Sequence, residues 1–317
     1  MPALRRRRGG EAEGFAPPVP WALGELLRLG PAPLAGRPVS NPERLDVVIV
    51  LGPGQRAPRD AGLPAEMLEA LQAEGVGLRV AGEDDAGLAG ADVVLAAGWP
   101  AAPAVLRAPD LRARAVLATS APAPFAERGW TAGIDLLGPA WLGGALPGGA
   151  DAVYAPLPVH RREDLVLVHG DEPLGLLAAA ELHRRRDGLA FAVSGARQDL
   201  ELPFPFLGVA AGGGALAHAF ASAAVALAPP VRGWRPAAVA MLVCGQAVVA
   251  PDDAPTRAAL GESASFAADP LAAADAVEAL LDDLALRAER ARTGFAQVPA
   301  GWSATAAALA AALRALP

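Results

Sequence analysis

The sequence predicts an α/β chain built as two doubly wound, Rossmann-like domains that face each other across a cleft. Short, continuous apolar runs alternate with stretches whose apolar residues recur at helical spacing, which is the pattern of parallel sheets wrapped by helices. The alternation runs once from Leu45 and restarts near Asp151, so it forms two series rather than one. The chain has 317 residues, 53% of them apolar, enough for two cores of ordinary domain size. On this reading residues 1–40 are a flexible, Pro- and Gly-rich lead, 41–150 an N-terminal domain and 151–317 a C-terminal domain.

In the first series, Leu45 to Val50 reads as a buried strand that ends at Gly52. Leu63, Met67 and Leu71 then recur every four residues, giving a helix that stops at Gly75. Further strands are expected at Leu78 to Ala81, Asp92 to Ala97 and Ala115 to Ala118, each broken by Gly, Pro or charge. In the second series, Leu165 to Val168 is a strand closing on His169 and Gly170, followed by the helical stripe Leu174, Leu177, Ala178 and Leu182. Leu189 to Val193 is the next strand, closing on Ser194 and Gly195. A helix from Ala215 to Ala223, a strand from Ala224 to Leu227, a helix around Ala237 to Val243 and a strand from Ala247 to Ala250 repeat the cycle. Two long helices, over 270–292 and 302–315, are expected to end the chain, the first started by Asp269-Pro270.

Composition excludes several functions. A net charge of −7 leaves no broad basic surface for a phosphate backbone, so no nucleic-acid partner is expected. Every basic residue is arginine, and without lysine the chain has no Schiff-base chemistry and no Walker-type phosphate loop. Cys244 is the single cysteine, which rules out an internal disulfide and fits a reducing cytoplasm. The apolar stretch Trp21 to Leu29 is broken by Gly24, Glu25 and Arg28, so it makes neither a secretory core nor a membrane span. The run Arg5 to Arg8 is either a solvated tail or a peripheral contact with the anionic inner face of a membrane.

The run from Leu216 to Ala250 resembles the donor-binding segment of GT-B glycosyltransferases of the large retaining family. Ala240 to Gly245 and Ala247 to Ala250 carry the resemblance most closely. Phe266, Asp269-Pro270, Leu280 to Asp283 and Arg287 resemble the same family's penultimate helix, and Phe295 and Trp302-Ser303 the opening of its final helix. In the N-terminal half, Ala91-Asp92-Val93-Val94 and Gly98-Trp99-Pro100-Ala101 resemble bacterial rhamnosyltransferases of surface polysaccharides. The resemblance implies a GT-B architecture, an N-terminal acceptor domain and a C-terminal nucleotide-sugar domain. It also implies retaining, metal-independent transfer from a nucleotide diphosphate sugar, with dTDP-rhamnose a candidate donor and a glycan or lipid-linked glycan the acceptor. No cofactor is implied beyond the donor itself. One departure stands out: the family's glutamate pair across the donor loop falls on Arg232 and Ala240, and a methyl cannot accept the ribose hydrogen bonds of the second glutamate. A catalytically silent GT-B protein that binds a glycan or a partner glycosyltransferase is therefore the alternative.

Arg232, Gly233 and Arg235 stand in the loop before a helix, where two guanidinium groups could hold a diphosphate or simply be solvated. Gly170 and Gly195 each sit at the carboxyl end of a strand, where open α/β folds bind ligands, which suits either a phosphate approached by backbone N–H groups or an ordinary turn. Arg197 follows as a third cation. His169 either hydrogen-bonds the donor or packs as a structural histidine, and Gly52 and Gly54 form part of a dinucleotide-type turn on the acceptor side. No catalytic residue is identified. His160, His183 and His218 lack metal-site spacing, and no Asp-x-Asp motif occurs, so no metal site is expected.

Overall fold

The computed structural model describes residues 44–52, 54–82, 88, 90–98, 101, 113–117, 140–141, 146, 148–196, 201–209, 213–231, 236–298 and 301–316. The predicted lead over 1–40 lies outside the described residues. The two apolar series form two separate parallel sheets. The first contains β1 (Leu45–Val50), β2 (Val76–Ala81), β3 (Val93–Ala97), β4 (Ala113–Leu117) and β5 (Ala140–Trp141), in the order β2-β1-β3-β4-β5. The second contains β6 (Arg162–His169), β7 (Ala190–Ser194), β8 (Leu207–Val209), β9 (Ala223–Leu227), β10 (Ala247–Pro251) and β11 (Ser265–Ala267), in the order β11-β10-β9-β6-β7-β8. All the pairings are parallel, and β1, β3, β9 and β10 are buried almost throughout, which is why they read as unbroken apolar runs.

Asp92, in the segment resembling rhamnosyltransferases, is buried and has a local role. Its Oδ2 accepts the Asp46 N–H at 3.0 Å and so ties β1 to the entry of β3. Trp99 and Pro100 of that segment lie outside the described residues.

The helices are α1 (Ala65–Ala73), α2 (Pro173–Arg185), α3 (Gly213–Ser222), α4 (Ala237–Val243), α5 (Ala254–Leu260), α6 (Pro270–Asp282), α7 (Leu284–Gln297) and α8 (Ser303–Arg314). The expected single helix over 270–292 is two. Asp283 adopts extended backbone, and its carboxylate accepts the Ala285 and Leu286 N–H groups at 2.9 Å each, capping a second helix where the apolar periodicity alone runs on. Its neighbour Asp282 pairs with Arg186 at 2.7 Å. The short strands β5, β8 and β11 and the helix α5 were not expected from the sequence.

The destination of the last helix also differs from the sequence reading, which placed it within 151–317. Trp302, Ala306, Leu309, Ala310 and Leu313 pack into the core of the first sheet, beside Leu45, Val47, Met67 and Leu71. The chain therefore crosses back, and α8 lies against α1. On the second sheet, α3 and α4 cover one face through Phe220, Met241 and Leu242. On the opposite face, α2 and α6 pack through Leu182, Val277 and Leu280. Arg161 donates to the Gly245 carbonyl at 2.9 Å, placing a cation where the α4 dipole is negative.

Candidate functional site

The second sheet reverses its winding between β6 and β9, and open α/β sheets bind ligands in the crevice at the carboxyl ends of such strands. His169 ends β6 there, and Gly170 turns the chain at φ +89° with its α-carbon facing Pro229, which follows β9. A cavity of about 170 Å³ opens beside this point. Its walls are Gly149, Ala150, Asp151 and Tyr154 from the segment joining the two sheets, His169, Leu216 and Phe220 from α3, and Pro236, Ala237 and Ala240 at the start of α4.

The joining segment is held by both halves of the molecule. Trp302 Nε1 donates to Asp151 Oδ1 at 2.9 Å, and the Ala152 N–H donates to Glu66 Oε2 on α1 at 2.7 Å. Gly149 lies flat on the indole of Trp302, where a side chain would collide with the ring. Tyr154 stacks on Phe220 with centroids 5.8 Å apart, and Phe220 meets the His169 ring edge-on at 5.8 Å.

His169 is fixed on its other sides by the next strand. Its Nδ1 lies 2.8 Å from Ser194 Oγ, and Ser194 ends β7 fully buried. Gly195, at φ +69°, carries the ring against its backbone, since a Cβ there would lie 2.9 Å from Cε1. Burial holds the imidazole below its usual pKa, so the neutral ring is the resting form.

The sequence-predicted glycines have identifiable local duties. The Gly170 N–H donates to the Ser194 carbonyl at 2.7 Å, and the Gly52 N–H donates to Gln55 Oε1 at 2.7 Å. Gly54 turns the chain beyond β1 at φ +79°. The structure brings together His169, Gly170 and Gly195 at one end of the second sheet, whereas Gly52 and Gly54 follow the first. Arg197, Arg232, Gly233 and Arg235 lie outside the described residues. Both ends of the loop bearing the last three are described. Before it, the Val231 N–H donates to Thr256 Oγ1 at 2.9 Å, and Thr256 is bonded through both its N–H and its hydroxyl to Asp253 at 2.9 Å. After it, Pro236 and Ala237 form part of the cavity rim.

Ala240, on which the sequence resemblance places the second glutamate, contributes a methyl to the cavity wall. Arg287, matched to the family by sequence, lies at the other end of β6, buried and paired with Glu163. Among the described residues, no group of three or more His, Cys, Asp or Glu side chains is placed to hold a metal ion.

The sequence reading missed Asp151, Tyr154 and Ser194 as site residues. Tyr154 is the chain's single tyrosine, a signal that was available, whereas the other two carry none at the sequence level.

Two Rossmann-like units flank this cavity, and comparison with solved structures shows the GT-B fold. Searches by sequence match no protein-family model and no curated protein. By structure, the chain is similar to a variant of the O-GlcNAc transferase of Thermobaculum terrenum, at a TM-score of 0.60 and 16% identity over 92% of this chain and 72% of that one. It is also similar to the sucrose-phosphate synthase of Thermosynechococcus elongatus, at 0.57 and 12% identity over 85% and 98% of the two chains. HepE of Anabaena, solved in complex with UDP-glucose, matches at 0.52 and 13% identity over 80% and 94%. No helix among the described residues is long and apolar enough to cross a membrane.

Proposed function

We propose that the chain is a glycosyltransferase that moves a sugar from a nucleotide diphosphate donor to a glycan or lipid-linked glycan. The observation that supports this best is the position of the cavity, at the winding reversal of the second sheet and against the segment joining two GT-B halves. The structurally similar HepE is described with UDP-glucose, which favours a nucleotide sugar as the ligand class. The sequence resemblance points to retention of anomeric configuration, and the rhamnosyltransferase-like segment makes dTDP-rhamnose the first donor to try. With no Asp-x-Asp motif in the chain, arginine side chains are the proposed counter-charge for the leaving diphosphate, and transfer is expected to survive EDTA. Arg232 and Arg235 are the proposed cations. Replacing either by alanine is expected to weaken nucleotide-sugar binding about tenfold or more, with little change for the matching nucleoside.

The test is release of nucleoside diphosphate from a panel of donors in the presence of lipid-linked glycans. Acceptor-dependent release supports the reading, and its absence with every donor overturns it. A second reading, a silent GT-B protein that binds a glycan or a partner glycosyltransferase, is favoured by the Ala240 methyl in the cavity wall. Glycan binding without nucleotide binding would select it.

A further inference from the structure

Ser194 is 1% exposed, and among the described residues its hydroxyl has a single hydrogen-bond partner, His169 Nδ1. A buried O–H with no acceptor pays the desolvation cost of a donor, whereas a spare lone pair on an oxygen costs less. The hydroxyl therefore donates, Nδ1 accepts, and the neutral ring carries its proton on Nε2. The ring is confined, because Gly195 leaves no room for a side chain beside its Cε1 and the Phe220 ring packs against it at 74°.

The cavity's volume selects among ligand parts. An apolar cavity of about 150 Å³ takes one benzene-sized ring, so about 170 Å³ has room for one six-membered ring, and the rest of a larger ligand would lie outside it. Its walls are mostly apolar or aromatic: Leu216, Ala240, Pro236, and the stacked pair Tyr154 and Phe220. The Asp151 carboxylate that faces it is already bonded to Trp302.

We propose that this cavity is a subsite for one six-membered ring bearing an exocyclic oxygen, recognised by the neutral Nε2–H of His169, and that Ser194 is the positioning residue fixing that tautomer. The ring subsite rests on the cavity being the ligand site proposed above, whereas the tautomer does not. The oxygen could belong to a pyranose or to a pyrimidine base, and the experiment separates the two.

The experiment uses the full chain with ¹⁵N-labelled histidine and long-range ¹H–¹⁵N correlation near neutral pH. His169 is expected to show protonated Nε2 and bare Nδ1; an imidazolium or an Nδ1–H ring overturns the proposal. Ser194→Ala is expected to average the two tautomers, and Ser194→Thr to restore the single one, which a merely structural role for the serine would not do. Millimolar methyl glucoside or methyl rhamnoside forms one arm, and uridine or thymidine the other. A shift of the His169 Nε2 signal in one arm identifies the ring. His169→Gln, which keeps an N–H donor, is expected to bind that ring within a few-fold of the parent, and His169→Leu roughly tenfold more weakly. No shift in either arm overturns the ring subsite even where a nucleotide sugar binds elsewhere. A ring bound without any nucleotide sugar would overturn the glycosyltransferase reading and leave the subsite standing.

Discussion

Substituting Gly149→Ala perturbs the joint between the two halves with a single methyl group. The added carbon would lie 2.7 Å from Trp302 Cζ3 and 2.9 Å from Cδ2, against an ordinary carbon contact of about 3.5–4.0 Å. Trp302 is 3% exposed and packed among the core residues of the first sheet, so the ring has no open side to move into. Overpacking of this kind costs about 1–3 kcal/mol, and a ring displaced by about 1 Å also weakens its charge-assisted bond to Asp151, which is worth about 1.5–3 kcal/mol intact. A combined loss of about 2–4 kcal/mol should lower the melting temperature by roughly 3–6 °C in a chain of this size. The assay is thermal unfolding of the full chain, followed by calorimetry. Gly214→Ala is the control, because nothing lies within 4 Å of its added carbon and the residue sits in α3. It should melt with the parent or slightly above it. If Gly149→Ala melts with the parent, the indole is not confined as described and the joint is not held by this contact.

Gly195→Ala combines a strained φ of +69° with a carbon 2.9 Å from His169 Cε1, so it should destabilise by about 1–3 kcal/mol and displace the His169 resonances; an unchanged histidine spectrum would refute the contact. The Glu181 carboxyl is lowered to about 2 by hydrogen bonds from Arg184 and Arg185. Because its folded pKa lies below its unfolded one, the stabilisation is complete above about pH 4.5 and is lost as the pH falls towards 2. The stability gap between the parent and Glu181→Gln should therefore close across that window in acid unfolding, and a gap independent of pH would contradict the pairing. The Cys244 thiol is buried and pushed up to about 11, so a thiol reagent at about pH 8 should label it only after denaturation, whereas rapid labelling of the native chain would place it elsewhere.

Central strands were legible because a strand buried on both faces is a continuous apolar run, as in Leu45–Val50 and Ala223–Leu227. Edge strands of three residues, Leu207–Val209 and Ser265–Ala267, are too short to carry a period. The break at Asp283 was hidden because Leu280, Leu281, Leu284 and Leu286 continue the helical spacing across it. Only the side chain's choice to cap reveals two helices. The apolar stripe of α8 says that one face is buried but not against which sheet, so its return to the first domain is a tertiary fact.

At the site, His169 was visible as a polar residue ending an apolar strand. Gly149 and Asp151 lie in a segment with no periodic pattern, and their placement follows from the Trp302 contact some 150 residues away in sequence. That a family glutamate falls on Ala240 rests on the sequence resemblance alone, and what the fold adds is that its methyl lines the cavity.

Calorimetric titration of the parent and of Ala240→Leu with a panel of nucleotide diphosphate sugars shows whether this cavity is where the donor binds. Ala240 is 7% exposed and lines the cavity, so three added carbons would occupy the space proposed for the ligand. The parent is expected to bind at least one of these donors, and Ala240→Leu to bind it about tenfold or more weakly while remaining folded. Equal binding by both proteins, or no binding by the parent, would contradict it.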